Sequence, residues 1–194
     1  MSNFQNLELF AISVGFQESE DFSYRDDLIK ALYEIKAGMK SEVVSNVGGW
    51  QSHPDVFTDE RLQPFSQPIW NHIEQAVCNY AQNKKLAALK GSLNLSDMWV
   101  NINPPGAFNH VHVHPGSLLS GILWLKVPEG SGNIKFHDPN EMNNYCLIEN
   151  GNTCYGFLPK EGVMALFPSF LNHNVDLNMS DEDRISIAFN LDVR

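Results

Sequence analysis

Apolar positions recur at helical spacing in the first half of the chain and alternate in the second. In residues 24–37, Leu28, Leu32 and Ile35 share one helical face. Ser23 and Asp26 supply the capping end, and Gly38 the stop. A second helix is predicted from Gln67 to Lys85. Pro68 suits its first turn, and Ile69, Ile73, Ala76, Val77 and Tyr80 form its buried stripe. Ahead of both, LELFAISV at 7–14 reads as an opening strand, and SNVGGWQSHP between them reads as a loop whose paired glycines permit unusual backbone angles. Beyond about residue 95 the helical signal gives way to short strand candidates separated by Gly, Pro and Asn. These are 97–103, 108–114, 118–127, 132–137, 154–158, 163–168 and 184–193. The pattern predicts a β-rich α+β chain, with a sandwich, jelly roll or barrel behind supporting helices. No linker, repeat or low-complexity run interrupts it. Residues 1–95 (strand and helices) and 96–194 (β core) are therefore expected to form a single domain, 1–194.

Charge narrows the partners. Lysine plus arginine is 13 and aspartate plus glutamate 23, a net charge of −10, which argues against nucleic acid because phosphate binding needs clustered cations. No apolar run approaches the ~20 residues of a membrane span. The start, MSNFQNLELF, lacks the basic and apolar stretches of a signal peptide, so a cytoplasmic protein is expected. Cys78, Cys146 and Cys154 form no CxxC pair and read as free thiols.

The chemistry concentrates in histidine. NHVHVHP places His110, His112 and His114 two residues apart, so an extended strand would present all three on one face and turn Val111 and Val113 into packing. Imidazoles so arranged can chelate one metal ion, and histidine suits Fe, Zn, Cu and Ni alike. A polar strand face with coincidental histidines is the competing reading, but three in five residues favour a metal site. A further ligand must come from elsewhere. His173, after the apolar VMALF and a Pro-Ser turn, is the best candidate; His137 in FHDP competes. His72 lies off its helix stripe and is expected at the surface, and His53 has no evident role.

RISIAFNLDV then alternates. Ile185, Ile187, Phe189 and Leu191 form an apolar face; Arg184, Ser186, Ala188 and Asn190 form the other. An arginine on the inner face of a small β domain is costly unless it meets an anion, and a guanidinium beside a hydroxyl suits a carboxylate. Taken alone, a strand-end arginine paired in solvent with Asp181 or Asp183 is the simpler reading.

The order His-x-His, distant His, then Arg is that of 2-oxoglutarate-dependent iron oxygenases. The chain resembles the small 2-oxoglutarate–iron(II) oxygenases of bacteria and phages. The resemblance runs through SNVGGWQS (45–52), NPPGAFNHVHVHPGSLLSGILWLKVPEGSGNIKFHDP (103–139), LFPSFLNHNV (166–175) and RISIAFN (184–190). It implies a double-stranded β-helix, a cupin-like jelly roll, with supporting N-terminal helices. It also implies Fe(II) and 2-oxoglutarate as cofactors, and a dioxygenase coupling oxidative decarboxylation of 2-oxoglutarate to C–H oxidation of a small-molecule or peptide substrate. The pattern NxxHxHP falls on Asn109, His112, His114 and Pro115. The implied metal ligands are thus His112, His114 and His173, and the carboxylate-binding residues Arg184 and Ser186.

Strand alternation puts Trp99, Asn101 and Asn103 on one face, and either asparagine is expected to reach the co-substrate or simply to pack in the sheet. His110, Trp124 and Asn190 complete the candidate pocket. The wider superfamily pairs His with Asp or Glu where this chain has His114, so the metal would stay more positive unless a carboxylate such as Asp138 joins it. Two alternatives follow: a cupin-like three-histidine metalloenzyme without 2-oxoglutarate, and a non-catalytic metal- or ligand-binding jelly roll. Residues 138–153 are polar and long enough for a lid at the pocket mouth. The substrate and any homo-oligomer are not legible from sequence.

Overall fold

A computed structural model describes residues 11–83, 93–140 and 153–193. In chain order the elements are β1 (Gly15–Glu18), α1 (Arg25–Gly38), β2 (Asn46–Val47), β3 (Trp50–Gln51), a 3-10 turn (Val56–Thr58) and α2 (Gln63–Asn83). The strands β4 (Leu93–Asn103), β5 (Phe108–His112), β6 (Leu119–Lys126), β7 (Ile134–His137), β8 (Cys154–Phe157), β9 (Val163–Pro168), β10 (His173–Val175) and β11 (Arg184–Val193) follow. They form two antiparallel sheets, ordered β1-β9-β6-β11-β4-β3 and β2-β5-β10-β7-β8.

The two faces of the larger sheet explain its sequence. One face packs on the helices: Ile185, Ile187, Phe189 and Leu191 of β11 join Val100, Leu123 and Met164 against Leu28, Leu32, Ile69 and Ile73. The other meets the smaller sheet through Ile122, Trp124, Ala165 and Phe167, opposite Ile134 and Phe136. Strand β6 is apolar on both faces because both are covered. On β11 the same two environments give alternation, so Arg184, Ser186 and Asn190 point between the sheets. Gly121 lies opposite Phe189 across the β6–β11 pair, and a Cβ there would come within 2.1 Å of the Phe189 ring.

Several expectations need correction. Residues 11–14 are not strand, and the first strand is β1; positions 7–10 lie outside the described residues. Helix α1 starts after Tyr24 without a side-chain cap, and Asp21 Oδ1 instead accepts the Ser23 N–H at 2.9 Å. Helix α2 begins four residues before the predicted Gln67, because Pro64 rather than Pro68 occupies its first turn; Pro68 falls inside the helix. Positions 84 and 85 lie outside the described residues.

His72 is buried, not exposed. Strand β1 crosses α2 beside it, and its Nε2 lies 3.3 Å from the Gln17 carbonyl. The expected loop SNVGGWQSHP carries β2 and β3, with Gly48 in the left-handed region at φ 71°. Gly49 lies against Asn103, whose Oδ1 would be 3.1 Å from an added Cβ. Cys78 and Cys154 are free thiols; Cys146 lies outside the described residues. Among the described residues, no helix is long and apolar enough to cross a membrane.

Candidate metal centre and co-substrate pocket

The histidine-rich strand contains an irregularity that selects among its histidines. His112 pairs with His173, but Val175, two residues on, pairs with Asn109, three residues back. The extra residue on β5 is a β-bulge, which re-aims the side chains beyond it. Asn109 and His112 consequently both line the cavity between the sheets. His110 is exposed and outside the cavity, and Val111 is 54% exposed, contrary to the alternation expected for the segment. His114 lies two residues past the end of β5, where its backbone N–H donates to the Ser169 carbonyl at 2.9 Å.

Across these elements three imidazoles converge. His112 and His173 have ring centroids 4.3 Å apart, and His114 stacks on His173 at 5.1 Å with 4° between planes. His114 Nε2 and His173 Nε2 are 3.2 Å apart, and one ring nitrogen from each of the three lies within 4.8 Å of the others. His112 Nδ1 is 2.8 Å from the His110 carbonyl and His173 Nδ1 is 2.9 Å from the Leu171 carbonyl. A carbonyl only accepts, so both Nδ1 atoms carry the proton and both Nε2 lone pairs are free for a cation. Burial holds the rings neutral: it pushes His114 down to about 4 and His173 to about 3, the neighbouring imidazoles adding to the effect, and it lowers His112. The donor set therefore fits a transition-metal ion.

His137 is not in this group; its Nε2 meets Asn174 Oδ1 at 2.7 Å. His53 is exposed beside Glu42. Asp138 lines a different crevice, so no carboxylate joins the three histidines among the described residues. Most of the predicted lid falls at 141–152, outside the described residues.

The cavity holds about 300 Å³ and is bounded by both sheets. Arg184 lines it, 4% exposed, with one hydrogen bond from Nη1 to the Ser131 carbonyl at 2.8 Å. Burial pushes its guanidinium down to about 10, opposed only by Asp176, which is already bound to Lys135 at 2.9 Å. The solvent reading of Arg184 is thereby corrected, for Asp183 turns to Tyr33 and Lys36 instead. Ser186, Trp124 and Asn190 share the lining.

Asn101 also lines the cavity, and its buried Oδ1 has no partner. Asn103 does not: it is 1% exposed and donates to Asn109 Oδ1 at 3.0 Å, and Asn109 in turn donates to Ser45 at 3.2 Å. It thus ties β4 to β5. Sequence reasoning missed Asp97, which strand alternation through Trp99 and Asn101 places in the same row. It also missed the Trp99 ring lying 5.5 Å from His114.

Three solved structures illustrate the likeness in fold. A Pseudomonas putida prolyl-4-hydroxylase is 16% identical, with TM-score 0.64 over 96% of this chain and 95% of that one. SnoN, a non-haem α-ketoglutarate-dependent epimerase from nogalamycin biosynthesis, is 12% identical, with TM-score 0.68 over 93% and 77%. HygX from Streptomyces hygroscopicus, with nickel and 2-oxoglutarate bound, is 10% identical, with TM-score 0.62 over 94% and 83%. The fold is the double-stranded β-helix of these oxygenases, with the helices against its larger sheet. No curated protein sequence matches the chain. Residues 97–190 match the family described as "Putative 2OG-Fe(II) oxygenase". Those residues include the three histidines, Arg184 and every other candidate site residue, so the part of the chain that carries the site is similar to the 2-oxoglutarate–Fe(II) oxygenase family.

Proposed function

We propose that this chain is a cytoplasmic Fe(II)- and 2-oxoglutarate-dependent hydroxylase of a small-molecule or peptide substrate, and that residues 1–95 and 96–194 work as one domain. The observation that carries the reading is the pairing, in one cavity, of three neutral imidazoles with a buried arginine that pairs with no carboxylate among the described residues. His112, His114 and His173 hold the metal from one side. Arg184 takes the distant carboxylate of 2-oxoglutarate, and the Ser186 hydroxyl lies in the same row of β11 to donate to it. Asn101, with its amide turned, donates to the same ligand. Trp124 and Ile122 wall the cavity and keep water from it.

When bound, the cofactors supply oxidation: dioxygen and 2-oxoglutarate give succinate and carbon dioxide while one oxygen atom enters a substrate C–H bond. The chain contributes orientation, a dry cavity and lone pairs that need no deprotonation at neutral pH.

The test is anaerobic addition of Fe(II) and 2-oxoglutarate to metal-free protein. A weak visible charge-transfer band that needs both additions supports the proposal. His112→Ala and His173→Ala should bind no iron, and retention of full iron affinity by both would sink the ligand assignment. One observation favours a second reading, a three-histidine enzyme indifferent to 2-oxoglutarate: among the described residues the ligand set contains no carboxylate. Bound iron without the band would select it.

A further inference from the structure

Among the described residues the cavity is lined by two permanent charges, Arg184 and Asp97, and they stand at opposite ends of it. Arg184 pairs with Asn103 across β4 and β11. Asp97 pairs with Asn190, six residues farther along β11, a separation of about 20 Å at roughly 3.3 Å per residue. The histidines lie between these ends. Trp99 is the next cavity-facing residue of β4 after Asp97, about 7 Å along the strand. Its ring is 5.5 Å from that of His114.

A second irregularity of the sheets puts Asp97 at its end of the cavity. The β4–β11 ladder runs in register from Asn103 to Asp97, after which Leu95 pairs with Leu191 and Ser96 is left over. Ser96 is thus the extra residue of a β-bulge. Strict alternation would turn Leu95 toward the cavity with Asp97, Trp99 and Asn101. The bulge turns it onto the helical core instead. Asp97 is therefore the last cavity-facing residue of β4, although aspartate is disfavoured in strands. Its carboxylate is little used by the fold. Asn190 Nδ2 approaches Asp97 Oδ2 at 3.5 Å, longer than an ordinary N–H···O bond, and no lysine or arginine pairs with Asp97 among the described residues.

We infer that Asp97 is the specificity-determining residue of this cavity and that the substrate presents a protonated amine or guanidinium to it. The Trp99 indole, next in the row, adds a π surface that attracts a cation. The chain's net charge of −10 favours the approach of cations from solution. Asp97 also repels a second anion, which keeps 2-oxoglutarate to the Arg184 end. A cation held at Asp97 brings a carbon a few bonds from its nitrogen beside the three histidines. Calling this ligand a substrate rests on the proposed hydroxylase function; the cation site itself rests on the cavity alone.

The experiment uses metal-free full-length protein, so that no amine binds by coordinating a metal. The probes are n-pentylammonium, 1-pentanol and pentanoate, which share a carbon chain and differ in charge. Titrations are followed by NMR at the indole N–H of Trp99 and at that of Trp124, which lies opposite Ser186 toward the Arg184 end. The ammonium should shift the Trp99 signal and bind about 10-fold or more tightly than 1-pentanol. Asp97→Asn, nearly identical in shape, should weaken the ammonium by about the same factor and leave 1-pentanol unchanged. Pentanoate should act at Trp124 instead. Equal affinities for the ammonium and the alcohol, or an ammonium affinity unaffected by Asp97→Asn, would overturn the inference. Should Asp97→Asn fail to fold, wild type carries the test: a shift at Trp99 produced by the ammonium alone supports the site, and its absence refutes it. The iron and 2-oxoglutarate absorption band judges the hydroxylase reading separately. No band beside an Asp97-dependent ammonium site would sink that reading and leave the cation site standing; a band without ammonium preference would sink only the present inference.

Discussion

Replacing Arg184 with methionine should have opposite effects on binding and on stability. Among the described residues the guanidinium is buried with one hydrogen bond and no ion pair, and burial takes it from an ordinary value of 12.5 to about 10. That displacement corresponds to about 3 kcal/mol spent on keeping the charge inside. Arg184→Met removes this cost and leaves the Ser131 carbonyl without its partner, a penalty of about 1–3 kcal/mol. The variant is therefore expected to be as stable as wild type or up to about 2 kcal/mol more so, a rise in Tm of several degrees at most. For 2-oxoglutarate the sign reverses. Losing one member of a buried, hydrogen-bonded charge pair costs about 2–5 kcal/mol, which weakens Kd by about 30-fold to several thousand-fold. Thermal unfolding of the metal-free protein reads the first effect, and anaerobic titration of the iron-loaded protein with 2-oxoglutarate reads the second. A variant that binds 2-oxoglutarate within threefold of wild type would refute the assigned role. A variant destabilised by more than about 2 kcal/mol would show that Arg184 is a structural residue and that its burial had been misread.

Other consequences are as direct. Metal-free protein should lose stability as pH falls below 6.5, because His72, His112, His114 and His173 all have folded values depressed by burial, so the unfolded chain takes up protons first. The contribution is intact above 6.5 and lost progressively toward pH 3, where His173 lies; denaturant midpoints at pH 7, 6 and 5 should fall in that order and fall less steeply in His173→Ala. Gly121→Ala forces a methyl group into the Phe189 ring at the centre of the larger sheet and should cost about 1–3 kcal/mol or more, read as a drop in Tm. Trp99→Ala removes the ring stacked at 5.5 Å on His114 and should weaken metal binding less than His114→Ala does, read by Co(II) titration. Asn103→Leu breaks the β4–β5 tie rather than a cavity contact and should lower stability by about 1–3 kcal/mol, read as unfolding at lower denaturant.

What the sequence made legible is what has a single period and a single environment. Strand β11 alternates because one face meets helices and the other meets a polar cavity, so its sequence alone places Arg184, Ser186 and Asn190 in one row. Strands β6 and β9 read as apolar runs because both faces are covered. Helix α2 was legible on the stripe that meets the sheet, but His72 lies on a second contact, with β1, that no periodicity encodes because it depends on a strand far away in the chain.

The bulge in β5 is where pattern reasoning reaches its limit. A strict period of two makes His110, His112 and His114 equivalent, and nothing in NHVHVHP marks where the extra residue sits. The register against β10 decides it. With His112 opposite His173 and Asn109 opposite Val175, His112 faces inward and His110 faces out. The same irregularity carries the chain to His114 outside the sheet, where strand geometry no longer orients a side chain. A side chain at such a position needs its orientation from elsewhere, and here the bond from the His114 N–H to the Ser169 carbonyl and the stacking of its ring on Trp99 and His173 supply it. The bulge and these contacts are thus two parts of one solution: the first releases a histidine from the sheet, and the second hold it beside the other two.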